Sequence, residues 1–216
     1  MSYMKYFCPI CLVLLFFLSV AQNANSQEST AGVYDKVLSK YSGVKSVTFS
    51  FVSKEQPGYK GTVKAKTGNK YIITTGGRSI TCSGKTIWNY TKKDNKVVIS
   101  NYEEAENDEL SLEKIFFDFL EQYKAISITK SISSGGPPAW DLVLEPKKKA
   151  TKVGSMSLSK VVIRIDRNNY SLLSITINDN GVMQTWGLSR IKLNKEYNDS
   201  VFNFPIPEGA SVVDLR

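Results

Sequence analysis

The sequence predicts a mainly β domain: a large antiparallel sheet with two or three helices packed on it. Three observations carry this reading. From Val47 onward apolar residues recur with period two in short runs. The runs are separated by turn chemistry, as at Pro57-Gly58, Gly68-Asn69, Gly76-Gly77, Ser83-Gly84 and Asp94-Asn95. Two stretches, 29–41 and 112–123, switch instead to a spacing of three and four. A sheet of about eleven strands should curl strongly or close on itself. The 216 residues fit one substantial domain, and at 42% hydrophobic and 22% charged they can bury a core.

The first segment reads as an export signal. Lys5 supplies the positive start, Tyr6–Val20 is an apolar run, and Ser19-Val20-Ala21 and Ala24-Asn25-Ser26 both fit small-x-small cleavage. The apolar run is shorter than the ~20 residues a spanning helix needs. We therefore assign 1–26 as a signal peptide and 27–216 as a single domain. Cys8 and Cys11 lie at the start of the run, not behind small residues at its end, so lipid attachment is not expected. Cys82 is then the one cysteine of the exported chain, a small core residue among apolar strand neighbours.

In the exported part, Ser29 or Thr30 can cap a helix whose Val33, Tyr34, Val37, Leu38 and Tyr41 share one face, with Ser42-Gly43 as its stop. The predicted strands are then Val47–Val52, Thr62–Lys66, Lys70–Thr75, Ser79–Cys82, Thr86–Tyr90 and Lys96–Ser100. A second helix follows an acidic approach, Asn101–Glu109. In it Leu112, Ile115, Phe116, Phe119, Leu120 and Tyr123 recur at helical spacing. Strands resume at Ala125–Ser131, Ala139–Glu145, Ser157–Asp166, Ser171–Asn178, Val182–Lys192 and Val201–Phe204. Pro146–Gly154, with four lysines, is a basic loop.

Catalytic chemistry is scarce. The chain has no histidine, which excludes Ser-His-Asp and Cys-His pairs and every His-containing zinc site. The acidic stretch lacks the alternating ligands and central glycine of a calcium loop, so it reads as a solvated helix approach. No metal and no cofactor are expected, and the chain is read as a non-enzyme. The net charge of +8 permits an anionic partner. The basic loop has no interleaved aromatics, so nucleic acid is not expected, and anionic lipid or an acidic protein is the better form of that partner.

The informative feature is the placement of large apolar side chains. Phe49, Phe51, Tyr71, Ile73, Ile80, Trp88 and Tyr90 fall at alternating strand positions and are assigned to one face. A Phe-rich helix would cover that face. Periodicity leaves two outcomes open, a filled core or a hollow able to take acyl chains, each CH₂ of which gains ~0.8 kcal/mol on burial.

Several segments resemble the LolA family of periplasmic lipoprotein carriers. Val44–Phe51 is similar to the family's first aromatic strand, and Arg78–Tyr90 to its strand, Gly-Lys turn and Trp-x-Tyr strand. Leu142-Val143-Leu144-Glu145-Pro146-Lys147 resembles its L-x-P-K strand end, and Phe202–Asp214 its closing segment. The resemblance implies an unclosed antiparallel β-barrel with a helical lid over a hydrophobic cavity. On that implication the acyl-binding set is Phe49, Phe51, Tyr71, Ile73, Ile80, Trp88, Tyr90, Leu142 and Leu144 on the sheet, with Ile115, Phe116, Phe119 and Leu120 on the lid.

It further implies a monomeric periplasmic carrier that takes acylated lipoproteins from an inner-membrane ABC-type release complex to an outer-membrane acceptor. The alternative on the same scaffold is a lipid- or lipoprotein-binding sensor without a transfer step. One departure stands out. The family's Arg-Pro-Asn-x-Phe stretch aligns with Thr67-Gly68-Asn69-Lys70-Tyr71, so the arginine linked to lid closure is absent and Lys66 or Lys70 would have to replace it.

Overall fold

A computed structural model describes residues 28–102, 117, 119–132, 136–147, 152–153, 156–157, 160–179 and 182–216. The expected signal segment 1–26, the acidic residues 103–109, lid residues 112–116 and the lysines at 148 and 149 lie outside the described residues.

Helix α1 spans Thr30–Tyr41. It starts where the Ser29 hydroxyl accepts the Gly32 amide at 3.0 Å, satisfying one of the amides a helix start leaves unpaired. It stops at Ser42, whose amide donates to Leu38, and Gly43 then turns the chain with φ +67°.

Six strands follow: β1 (Ser46–Ser53), β2 (Lys60–Lys66), β3 (Lys70–Thr75), β4 (Arg78–Ser83), β5 (Thr86–Thr91) and β6 (Lys96–Asn101). After helix α2 (Phe119–Gln122) come β7 (Tyr123–Ser131) and β8 (Ala139–Pro146). The short strands β9 (Lys152–Val153) and β10 (Met156–Ser157) pair with each other. The chain closes with β11 (Val161–Asp166), β12 (Leu172–Asp179), β13 (Val182–Leu193), a 3₁₀ helix at Asp199–Phe202 and β14 (Ser211–Asp214).

Twelve strands form one sheet in the order β14-β6-β5-β4-β3-β2-β1-β13-β12-β11-β8-β7. Its end strands, β14 and β7, do not pair with each other, so the barrel is unclosed. Neighbours pair antiparallel except β14, which runs parallel to β6. The pairing of β1 with β13 joins the two halves, and between Thr48 and Ser50 the register shifts, the local kink by which a β-bulge bends a strand.

Three boundaries differ from the sequence reading. Of the strand expected at 201–204, Val201 and Phe202 instead end the 3₁₀ helix and 203–204 follow it outside any strand, because the Asn198 side chain accepts the Ser200 amide at 3.0 Å and starts a turn. The closing strand lies further on, at β14. Tyr123, counted in the helical period, opens β7, and β11 begins at Val161 instead of Ser157.

Two apolar clusters lie on the inner face. One packs Val33, Tyr34 and Val37 of α1 against Leu142, Leu144, Ile163 and Ile165. The other joins Val47, Phe49, Val63, Ala65, Tyr71, Cys82 and Ile87. Leu193 touches both clusters, so the lining is continuous. The opposite face of β3 and β4 is covered by the 3₁₀ helix, and Phe202 is fully buried.

Candidate functional site: an apolar cleft between helix α1 and the sheet

Cross-strand register decides which side chains meet. Phe49 lies opposite Val63, Val63 opposite Ile73, and Ile73 opposite Ile80, so these four form one row on the inner face. A parallel row runs Val47, Ala65, Tyr71, Cys82, Ile87. Phe51 lies opposite Leu188 and belongs to the same face. Leu142 and Leu144 stand opposite Ile163 and Val161 and are fully buried beneath α1.

Trp88 and Tyr90 do not share this face. Ile80 lies opposite Asn89, which leaves Trp88 opposite Thr81 and Tyr90 opposite Ser79, both on the outer side. The Tyr90 ring packs there against Phe204 at 5.6 Å. Tyr90 therefore supports the C-terminal segment, and the single face assigned to all seven residues is corrected to five. Of the lid residues, Leu120 packs against the α1 cluster, Phe119 is placed as part of α2, and Ile115 and Phe116 lie outside the described residues.

Where α1, α2 and the sheet converge, they leave an apolar cleft. It is walled by Tyr41 and Val44 at the end of α1, Val47 and Phe49 of β1, Leu120 of α2, and Ile163, Ile175 and Leu188 across the far strands. Its free volume is 30 Å³. That is room for about one water, and its walls are almost wholly apolar. Of the expected site residues, Phe49 and Leu120 line it. The contributions of β11, β12 and β13 were signalled by Ile163-x-Ile165, Ile175-x-Ile177 and Trp186-x-Leu188, whose alternation does not say which face is inward.

Polar groups pin the cleft's cover at its margins. The Tyr34 hydroxyl donates to the Leu120 carbonyl at 2.6 Å, and the Tyr41 hydroxyl accepts the Leu172 amide at 3.0 Å. Burial raises the pKa of both phenols above the ordinary value, so they stay protonated. Lys40 reaches from α1 to the Asn169 carbonyl at 2.6 Å and the Ser171 hydroxyl at 2.7 Å.

Lys66 and Lys70, the residues considered for a lid latch, turn to the outer face. Both pair with Asp199, at 2.6 and 3.0 Å, and hold its carboxyl below its ordinary pKa. They fasten the 3₁₀ helix to the sheet.

No protein-family model and no curated protein match the sequence. Among solved structures, an uncharacterized conserved protein from Thermus thermophilus superposes with a TM-score of 0.51 over 84% of this chain and 96% of that one, at 14% identity. LprF from Mycobacterium bovis gives a TM-score of 0.51 over 84% and 97%, at 11% identity. A LolA superfamily protein from Nitrosomonas europaea covers 82% of this chain and 98% of its own at 13% identity, with a TM-score of 0.38. The first two likenesses place the unclosed barrel of this chain in a fold shared with those proteins.

Proposed function

We propose that this protein is a periplasmic carrier that encloses the acyl chains of lipoproteins between α1, the α2 segment and the inner face of the sheet. The carrying observation is the continuous apolar inner face, where Phe49, Ile163, Ile175 and Leu188 meet at an apolar cleft that Leu120 of α2 also lines. Support also comes from the order of LolA-like motifs behind the export-signal pattern.

The cleft's 30 Å³ is about a tenth of the ~300 Å³ at the lower end of ligand pockets. Loading therefore requires the cover to move. Burying roughly fifteen methylenes gains about 12 kcal/mol relative to water, ample to displace Phe119–Gln122 from its contacts. A bilayer offers the same chains a similar apolar refuge. The exchange between membrane and carrier is then nearly balanced, and the cost of opening the cover sets its direction. That balance suits transfer from an inner-membrane release complex to an outer-membrane acceptor.

Native mass spectrometry of the protein purified from periplasm tests the reading. Co-purified acylated lipoprotein supports it, and an empty chain that also fails to bind a fluorescent fatty acid overturns it. Movement of labelled lipoprotein from inner-membrane vesicles to acceptor vesicles separates a carrier from a binding module without transfer.

A further inference from the structure

At one end of the barrel, outside the cleft, the β1–β2 loop and the start of β13 enclose an open pocket of 380 Å³. Its walls include Ser53, Glu55, Tyr59, Met183, Gln184 and Trp186. Two features distinguish it from the apolar cleft. One is aromatic: the Tyr59 and Trp186 rings meet edge-on at 5.7 Å, and Phe51 backs Trp186, also at 5.7 Å. The other is a single fixed negative charge. Both Glu55 oxygens accept the Thr185 amide, at 2.9 and 3.0 Å, and Ser53 donates to one of them at 3.3 Å. Among the described residues no lysine or arginine pairs with this carboxylate.

We propose that this pocket binds an organic ammonium group, seated against the rings of Tyr59 and Trp186 with Glu55 as its counter-ion. Aromatic faces attract cations through the negative face of the ring, and a carboxylate held by backbone amides adds the opposite charge without needing to reorganise. An anion would face Glu55 unfavourably. A neutral apolar group would bury the carboxylate without a counter-charge. A calcium ion needs six to eight oxygen ligands, more than one carboxylate and a few neighbouring polar groups offer. The inference is independent of whether the cleft takes acyl chains.

The ring pair fits the trimethylammonium of a lipid headgroup better than a lysine ammonium, whose three N–H donors each need an acceptor. The test titrates the ¹⁵N-labelled full exported chain with choline, with N-acetyl-lysine methylamide, and with the neutral isostere in which tert-butyl replaces trimethylammonium. Saturable shifts of the Trp186 indole and Thr185 amide with either cation, and none with the isostere, are expected. Choline should bind more tightly than the lysine amide, and tighter binding of the lysine amide overturns the headgroup assignment.

Glu55→Gln keeps an oxygen for the Thr185 amide, so the loop should hold its place, while cation affinity falls about tenfold. Tyr59→Ala, which leaves the carboxylate intact, should also weaken it. Equal shifts with the isostere, unchanged binding in Glu55→Gln, or no shift with either cation overturns the assignment. A fluorescent fatty acid titrated into the same Glu55→Gln protein reports on the cleft separately.

Discussion

The Tyr34 hydroxyl donates to the Leu120 carbonyl at 2.6 Å, linking helix α1 to the residue of α2 that lines the cleft. If α2 lifts to admit an acyl chain, this bond is one that breaks. Tyr34→Phe keeps the ring and deletes the donor, at a net cost of about 1 kcal/mol. The same change favours the open form, so fatty-acid affinity should rise about fivefold. Urea unfolding and probe titration together check it. A stability loss with unchanged affinity means the cover does not move at this point.

Gly61 lies opposite Phe51, and its missing side chain is structural. A Cβ there would meet the Thr74 carbonyl oxygen at 2.2 Å and the Phe51 ring at 2.7 Å. Backbone cannot yield as a side-chain tip can. Gly61→Ala should destabilise by about 1–3 kcal/mol and shift the Phe51 ring that adjoins Trp186 and Tyr59. Thermal unfolding together with tryptophan fluorescence reads both effects. A wild-type melting curve would count against so close an approach of β2 and β3.

Phe202 and Leu142 are both fully buried but serve different faces. Phe202→Ala should cost about 3–5 kcal/mol and Leu142→Ala about 2–5 kcal/mol. Under conditions where both variants remain folded, only Leu142→Ala should alter fatty-acid binding, because Phe202 sits in the C-terminal segment that covers the outer side. Impaired binding in Phe202→Ala would show that the outer segment and the cleft are coupled.

Lys66 and Lys70 lower the pKa of Asp199 from its ordinary 3.8. A carboxyl depressed in the folded state contributes stability above its unfolded pKa, and that contribution is lost as pH falls through the folded value. The acid limb of the wild-type stability curve should therefore be steeper below about pH 4 than that of Asp199→Asn. Added salt should narrow the difference at neutral pH, since Asp199 is exposed. Urea midpoints from pH 7 down to the acid transition test it, and parallel curves for the two proteins contradict it.

Much of the architecture was legible because it is local. Ser29 caps α1, Gly43 ends it, and the paired turn residues mark the hairpins between β2 and β6. The face assignment of Trp88 and Tyr90 failed for a reason that is not local. Within β5 they are the more apolar of the two alternating rows, and a strand reader takes that row as inward. Tyr90 faces outward, where Phe204, more than a hundred positions away in the chain, packs against its ring, and strand alternation puts Trp88 on the same side. The 3₁₀ helix was missed for a related reason: Val201 and Phe202 resemble the start of a strand, while the Asn198 side chain bends the backbone before them.

The sequence by itself determined a large antiparallel sheet, its turns, the capped first helix and the exclusion of histidine chemistry. Each follows from short-range periodicity, turn geometry or composition. Only the tertiary structure decided that β1 meets β13, that β14 joins β6 in parallel, and that Phe49, Leu120, Ile163 and Leu188 converge on one cleft. Those outcomes depend on which distant strands pair and in what register, and a shift of one residue would turn every side chain of a strand to the other face.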